Sequence, residues 1–528
     1  MTSTIDRRSI ERNDECNTVA SPRAMVLRYS LLVLLGAFVV ASIHFDAPPR
    51  FDETGYLILA RSLADGRGYR EIDKPAAPVH SHFPPGWPAT LATCWTFTSD
   101  SIDARTVVAH AVVVVLWFSA VVLWSRWFAS PFPEVVAIPL SVALAANWLW
   151  IRLAGELRSE TLFIMLSAIV LLAIPSAPER VSGRRAAGIG GIVGLAILTR
   201  HIGVALAGAV LIEFVLRRYW RAAIQVILIS AVIVLPWAVT QWVVGHGTQA
   251  ELLLAKSDRN DSYTNLIGSQ LVFYVRRLPD SLFGPFVETA TVFRDDPLAA
   301  TLSTALAAVF ASVWSIGLVR MIRNESARPA GLYLACSLVI LVVWPFTEAG
   351  RFLIPLVPLN LAALVLGLDR IGFSISRLNL KLRYVVRSVP VSIALASLPF
   401  GLYTGLKAWR TDPAQADAPF EAACRWIAGN LPADAVVASR HPGDVYWRSS
   451  RVGVPWPEAK SAEAAASLLS DAGAGFLFVD QGRYVGEKDP AWLADEATGQ
   501  VAATFRQLAE PATGMRIYEI VEAGDRAR

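Results

Sequence analysis

The sequence predicts an α-helical polytopic membrane protein with about eleven transmembrane helices and a small C-terminal α/β extramembrane domain. Three observations lead there. Hydrophobic residues fill 54% of the 528 positions and charged residues only 17%, against about 25% charged in a typical soluble chain. The apolar residues gather in runs of near-spanning length, and the basic residues fall in short clusters between those runs. With a formal net charge of +4 spread in this way, the chain lacks the broad basic face that nucleic acid needs, and that partner is excluded.

A spanning length of roughly 17–25 residues picks out 26–45, 107–124, 133–151, 161–174, 186–199, 202–216, 222–242, 298–319, 330–346, 352–368 and 385–406. The positive-inside rule then orients them. Arg180/Arg184/Arg185, Arg217/Arg218/Arg221, Arg320/Arg323/Arg328 and the stretch Arg370–Arg387 all fall on the cytoplasmic side only if these segments cross and Pro88–Phe97 does not. That last segment is too short to span and reads as an interfacial helix. The polar tail 1–25 is cytoplasmic, and the first apolar run lacks a small-residue cleavage site and stays as an anchor.

The same topology gives outer loops at Asp46–Thr106, Arg152–Glu160 and Gly245–Pro297, with tight outer corners at Arg200 and Glu348–Arg351. The membrane domain is therefore 26–408, its first outer loop 46–106, and an extracytoplasmic domain occupies 409–528. In that last part AVVAS (435–439), GFLFVD (475–480) and MRIYEI (515–520) read as strands, between alanine-rich helices near 420–429 and 461–469. The four cysteines are far apart and show no zinc or disulfide spacing.

The first outer loop carries the densest signal. In RFDETGYLILARSLADGRGY, Tyr56, Leu59, Ala60 and Leu63 follow helical spacing and Gly66 suits the C′ position, so a short amphipathic helix begins at Asp52 and Glu53. Asp52 either caps that helix or does chemistry at the outer lipid boundary. Downstream, HSHFPPGWP sets His80, His82 and the Pro84-Pro85-Gly86 turn before the interfacial helix.

An acidic pair after the first span, a surface helix with Tyr56 and a terminal Gly66, then a Pro-Pro turn: this order resembles the membrane-embedded glycosyltransferases of the GT-C superfamily, among them the protein O-mannosyltransferases and the lipid A aminoarabinose transferase. The resemblance runs over roughly 26–370 in hydropathy and motif order, with residue-level matching at about 51–88. It implies a glycosyltransferase that takes a hexosyl or pentosyl group from a polyprenyl-phosphate donor in the plasma (inner) membrane. The acceptor would be the hydroxyl of a lipid, glycan or protein. It also implies that Asp52, with Glu53 beside it, is catalytic, either as base on the acceptor or as ligand of a divalent cation. No other cofactor is implied. Displacing a lipid phosphate does need a carboxylate to take the proton and positive charge for the departing phosphate. Some relatives hold the phosphate with a lysine immediately before the Pro-Pro turn; here that position is Phe83. His80, His82 or Lys74 would have to replace it.

Charges beside spanning helices are costly and often functional. RLAGELRSET supplies Arg152, Glu156, Arg158 and Glu160, and Glu160 matches the acidic position the family keeps at the start of the next span. The plain alternative is that Ser159 caps that helix and Glu160 suits its positive end. Arg200 and Arg351 would clamp a phosphate or snorkel to headgroups. Asp52, Glu53 and Glu160 are thus the candidate catalytic residues, and Tyr56, His80, His82, Arg152, Glu156, Arg200 and Arg351 the candidate substrate-binding ones. The segment YTNLIGSQLVFYVRRLPDSLFGPF is either an amphipathic surface helix or a lid over the polyprenyl chain, and 441–457 is an aromatic, turn-rich stretch suited to an acceptor. A transporter or flippase would instead place charges near the midplane in related halves; no repeated half is visible.

Overall fold

The computed structural model describes residues 21–175, 181–244, 263–285, 297–348, 350–376, 382–480, 490–494 and 504–521. Cys16, Arg180, most of the N-terminal tail and parts of the segments 245–297 and 370–387 lie outside these.

In chain order the helices are α1 (Pro22–Ala41), α2 (Asp52–Ala64), α3 (Gly86–Trp95), α4 (Ile102–Phe128), α5 (Glu134–Ala145), α6 (Trp148–Ala154), α7 (Glu160–Ala173), α8 (Gly183–Thr199), α9 (Gly203–Leu216) and α10 (Trp220–Val244). There follow α11 (Tyr263–Phe283), α12 (Pro297–Arg323), α13 (Arg328–Val343), a 3-10 turn (Arg351–Leu356), α14 (Val357–Ser376) and α15 (Leu382–Arg410). The C-terminal part is α16 (Pro413–Asn430), β1 (Val437–Ser439), α17 (Pro442–Ser449), β2 (Gly453–Pro455), α18 (Ala462–Asp471), β3 (Phe476–Asp480), α19 (Ala491–Ala494), β4 (Phe505–Ala512) and β5 (Met515–Ile520).

This is a multi-pass membrane protein. Among the described residues six helices are long and apolar enough to cross a bilayer, or up to seven when α5 and α6, bent by 53°, count as one broken span. Each of the other apolar segments read from the sequence is also helical, but α7, α9 and α13 are only 10–17 residues long. By contrast α3 has 10 residues, too few to cross.

The chain forms two compact units. One comprises 1–43 and 113–410. A bilayer offers no water to backbone groups freed at breaks, so side chains must satisfy them. At the α5–α6 break Asn147 does this twice: its carbonyl accepts from the Leu149 and Trp150 N–H groups, and its amide donates to Ser281 O at 2.9 Å. Buried indoles do the same work, Trp117 donating to Trp150 O (2.8 Å) and Trp150 to Ile354 O (3.1 Å). Small residues set the closest helix approach. A Cβ on Gly317 would strike the Ala363 carbonyl, and one on Gly367 the Val313 carbonyl, so α12 and α14 pack backbone to backbone.

The other unit comprises 44–112 and 411–528. Its sheet has the order β2-β1-β3-β5-β4, with β1 parallel to β2 and β3, and β5 antiparallel to β3 and β4. Successive strand residues face opposite sides. Thus Phe478 and Ile517 pack with Phe420 and Ile427 of α16, while Leu477, Val479 and Tyr518 pack with Leu469 and Trp492. The segment 44–112 shares this unit's framework: Arg50 pairs with buried Asp417 at 3.0 Å, the Gly453 N–H donates to Asp73 O at 2.8 Å, and Trp95 stacks on Trp447.

Candidate functional site

Within the second unit, α2 holds the acidic pair. Tyr56 to Ala60 are all buried, with Tyr56 against Phe83 at 4.7 Å. The helix ends as its glycine dictates: Gly66 has φ 71°, the Arg67 N–H donates to Ser62 O and the Gly66 N–H to Leu63 O, which is the Schellman arrangement. Its start is unusual. The N-cap is Phe51, at φ 54° and ψ −124°, with no side-chain cap bond. Asp52 therefore occupies N1 and is not the capping residue. A bulky residue at positive φ stores strain, a cost that concentrates where geometry serves function. Glu53 reaches back to the Arg50 N–H at 3.3 Å, so the neighbour of Asp52 is spent on shaping the turn.

The histidines part company. His80 is buried; its Nδ1 meets Glu71 at 2.7 Å and its Nε2 accepts the Phe83 N–H at 2.7 Å. With Nε2 accepting, Nδ1 carries the proton, and the ring is a neutral strut across the loop with no nitrogen left for a ligand. Burial pushes the His80 pKa down despite Glu71. Burial also raises that of Glu71, but hydrogen bonds from His80 and Lys74 outweigh it and hold the carboxyl at about 2. Lys74 sits 2.6 Å from Glu71, so it is engaged within its own hairpin rather than folded toward the Pro-Pro turn. His82 is half-buried with its ring against Phe83. In this unit no group of three His, Cys, Asp or Glu gathers among the described residues.

Within the first unit, three chain segments converge on Glu160. Its carboxylate is fully buried and meets Arg351 Nε at 2.6 Å and Arg200 Nη1 at 2.7 Å. Ser159 makes no side-chain cap bond; its hydroxyl accepts from Arg200 Nη1 at 3.3 Å instead. The capping account of Ser159 therefore gives way to a polar node. Arg351 also reaches Glu348 at 2.7 Å. Nearby, Glu156 takes Arg152 at 2.6 Å and Arg158 at 3.4 Å. Four arginines face three glutamates, which leaves positive charge in excess where an anion would be held. Glu160 is doubly paired and shut from solvent, which suits it to fixing the two guanidinium groups and not to taking a proton from an acceptor. No spacing pattern along the chain foreshadows this pairing, since the three residues lie far apart in it.

No protein-family model and no curated protein sequence matches the chain. Solved structures do. The crystal structure of ArnT from Cupriavidus metallidurans bound to undecaprenyl phosphate superposes with a TM-score of 0.56 at 14% identity, over 96% of this chain and 99% of that one. The oligosaccharyltransferase of Archaeoglobus fulgidus, tethered to an acceptor peptide, gives 0.56 at 12% identity, over 94% of this chain and 74% of that one. The chain has the fold of the GT-C glycosyltransferases.

Proposed function

We propose that this protein is a membrane glycosyltransferase that moves a sugar from a polyprenyl-phosphate carrier to an acceptor hydroxyl on the outer face of the plasma membrane. The observation that carries the reading is the Glu160 node, in which a buried carboxylate fixes Arg200 and Arg351. Fixed cations in a low-dielectric setting stabilise a phosphate far more than flexible ones in water. The fold, shared with one transferase crystallised with undecaprenyl phosphate and another with an acceptor peptide, supports a lipid-linked donor and a separate acceptor.

In this reaction the acceptor oxygen bonds to the anomeric carbon, the bond from that carbon to the phosphate oxygen breaks, and the phosphate leaves with the electron pair. On the family resemblance Asp52, in the second unit, is the base for the acceptor's proton; within the first unit Arg200 and Arg351, positioned by Glu160, are suited to a phosphate. Asp52 owes its role to the family resemblance and to its place at N1 behind strained Phe51. Eleven or so crossings, a cytoplasmic N-terminus and an extracytoplasmic C-terminal domain complete the proposal, since that arrangement keeps the basic clusters inside.

The test is binding of undecaprenyl phosphate to the purified protein in nanodiscs, measured by native mass spectrometry. Wild type should retain it, and the Glu160→Gln/Arg200→Met/Arg351→Met triple variant, which removes the buried carboxylate together with both of its partners, should lose it while keeping its elution profile. Equal retention by both proteins would remove the node from donor recognition.

A further inference from the structure

We propose that the groove between α11 and the Pro345–Thr347 segment is a carbohydrate subsite that takes one neutral pyranose through Gln270. It deepens the glycosyltransferase reading and rests on it. The groove has a volume of about 470 Å³, within the roughly 300–1,000 Å³ of small-molecule sites. Its polar lining is Asn265, Ser269, Gln270 and Thr347; Leu266, Phe273 and Pro345 supply the apolar part. No charged side chain lines it among the described residues, so the groove is built for a neutral group and not for a phosphate.

Gln270 supplies the specific signal. Its side chain is 4% exposed, and its Oε1 is buried with no hydrogen-bond partner. An unmatched buried acceptor is destabilising, and such groups call for an explanation. One turn on, on the same helix face, the buried hydroxyl of Tyr274 also lacks a partner. A ligand with hydroxyl donors would satisfy Gln270 Oε1. A ligand with an apolar C–H face would pack on Phe273 and Leu266. A pyranose has both. The sugar could arrive on the lipid carrier or as part of a glycan acceptor; the hydroxyl chemistry is common to both.

The test uses the full chain in lipid nanodiscs and saturation-transfer NMR with methyl pyranosides of the gluco, manno and galacto series. Wild type should bind at least one of them. Gln270→Leu should weaken that binding about tenfold, the effect of losing one buried hydrogen bond. Phe273→Ala should weaken it too. Binding of sugar-free undecaprenyl phosphate should be unchanged in Gln270→Leu, and a polyprenyl-phosphate hexose that loses affinity in this variant would assign the subsite to the donor, whereas loss confined to free pyranosides would assign it to the acceptor. Without ligand, Gln270→Leu should melt at or above the wild-type temperature, because it deletes an unmatched acceptor. Absence of pyranoside binding to wild type, equal binding by Gln270→Leu, or a lowered melting temperature would each overturn the subsite. Failure of sugar transfer with pyranoside binding intact would count against the enzymatic reading alone.

Discussion

Glu160 and Arg351 lie 191 positions apart in sequence, and their side chains meet at 2.6 Å with the carboxylate wholly buried. One begins α7 and the other begins the 3-10 turn before α14, so a single ion pair ties two distant corners of the first unit. Arg200, from the end of α8, makes the third member.

Removing the carboxylate should be costly. Glu160→Gln keeps the shape but leaves two guanidinium groups without their shared anion, and breaking a buried pair in this way typically destabilises by about 3–5 kcal/mol. The melting temperature of the purified variant should fall by several degrees, and its yield with it. An unchanged melting curve would show that the arginines do not depend on Glu160.

Arg351→Lys separates a phosphate fork from a simple charge. Lysine retains the cation but cannot span Glu160 and a phosphate with a planar fork. The donor concentration for half-maximal transfer should rise about tenfold, the scale of one charge-assisted hydrogen bond. Arg506→Lys, on the exposed face of β4, should behave as wild type. Matched donor curves for both variants would leave Arg351 with a structural role only.

The loop 69–83 should loosen in acid. His80 has a folded pKa below its ordinary 6.5, so the unfolded loop binds more protons; the stability this contributes is complete above about 6.5 and is lost as pH falls. Glu71, held near 2 against an ordinary 4.5, adds a second loss below about 4.5 in the same direction. Protection factors over 69–83, meaning exchange rates divided into the intrinsic rate at each pH, should therefore fall from pH 7.5 to pH 5, and His80→Phe should flatten that dependence. Exchange protection that stays constant across this range would contradict the neutral strut.

The glycine pair offers a packing test. Gly367→Ala places a methyl against the Val313 carbonyl, and such overpacking costs about 1–3 kcal/mol. Gly188→Ala, whose added Cβ would meet nothing within 4 Å, should be neutral or slightly stabilising in the same unfolding assay. Equal behaviour of the two would mean that α12 and α14 are not in close contact in the membrane.

The sequence was most legible where one local pattern sufficed. The spacing of Tyr56, Leu59, Ala60 and Leu63 and the terminal Gly66 announced α2, and apolar strings announced β1, β3 and β5. Edge strands were hidden: β2 is three residues long, and β4 exposes polar side chains such as Arg506 and Gln507. The stretch from His441 reads as turns because of Pro442-Gly443, yet proline at N1 begins α17. Site residues were visible as isolated charges, but not their partners. That Glu160 would be enclosed by Arg200 and Arg351, and that His80 would be consumed by Glu71 and the Phe83 N–H, depends on contacts no spacing rule reports. Span count suffered similarly, because α7, α9 and α13 are apolar but short.

Asp52→Asn is the most direct test of the central claim, assayed as release of polyprenyl phosphate from polyprenyl-phosphate hexoses and pentoses in membranes that supply the native acceptor. The amide is nearly isosteric and suits N1 of α2, yet it cannot take a proton from the acceptor. Wild type should consume at least one donor, and Asp52→Asn should do so about 10²–10⁴-fold more slowly with an unchanged melting temperature. Donor consumption by Asp52→Asn at the wild-type rate, or by neither protein with any donor, would contradict the account.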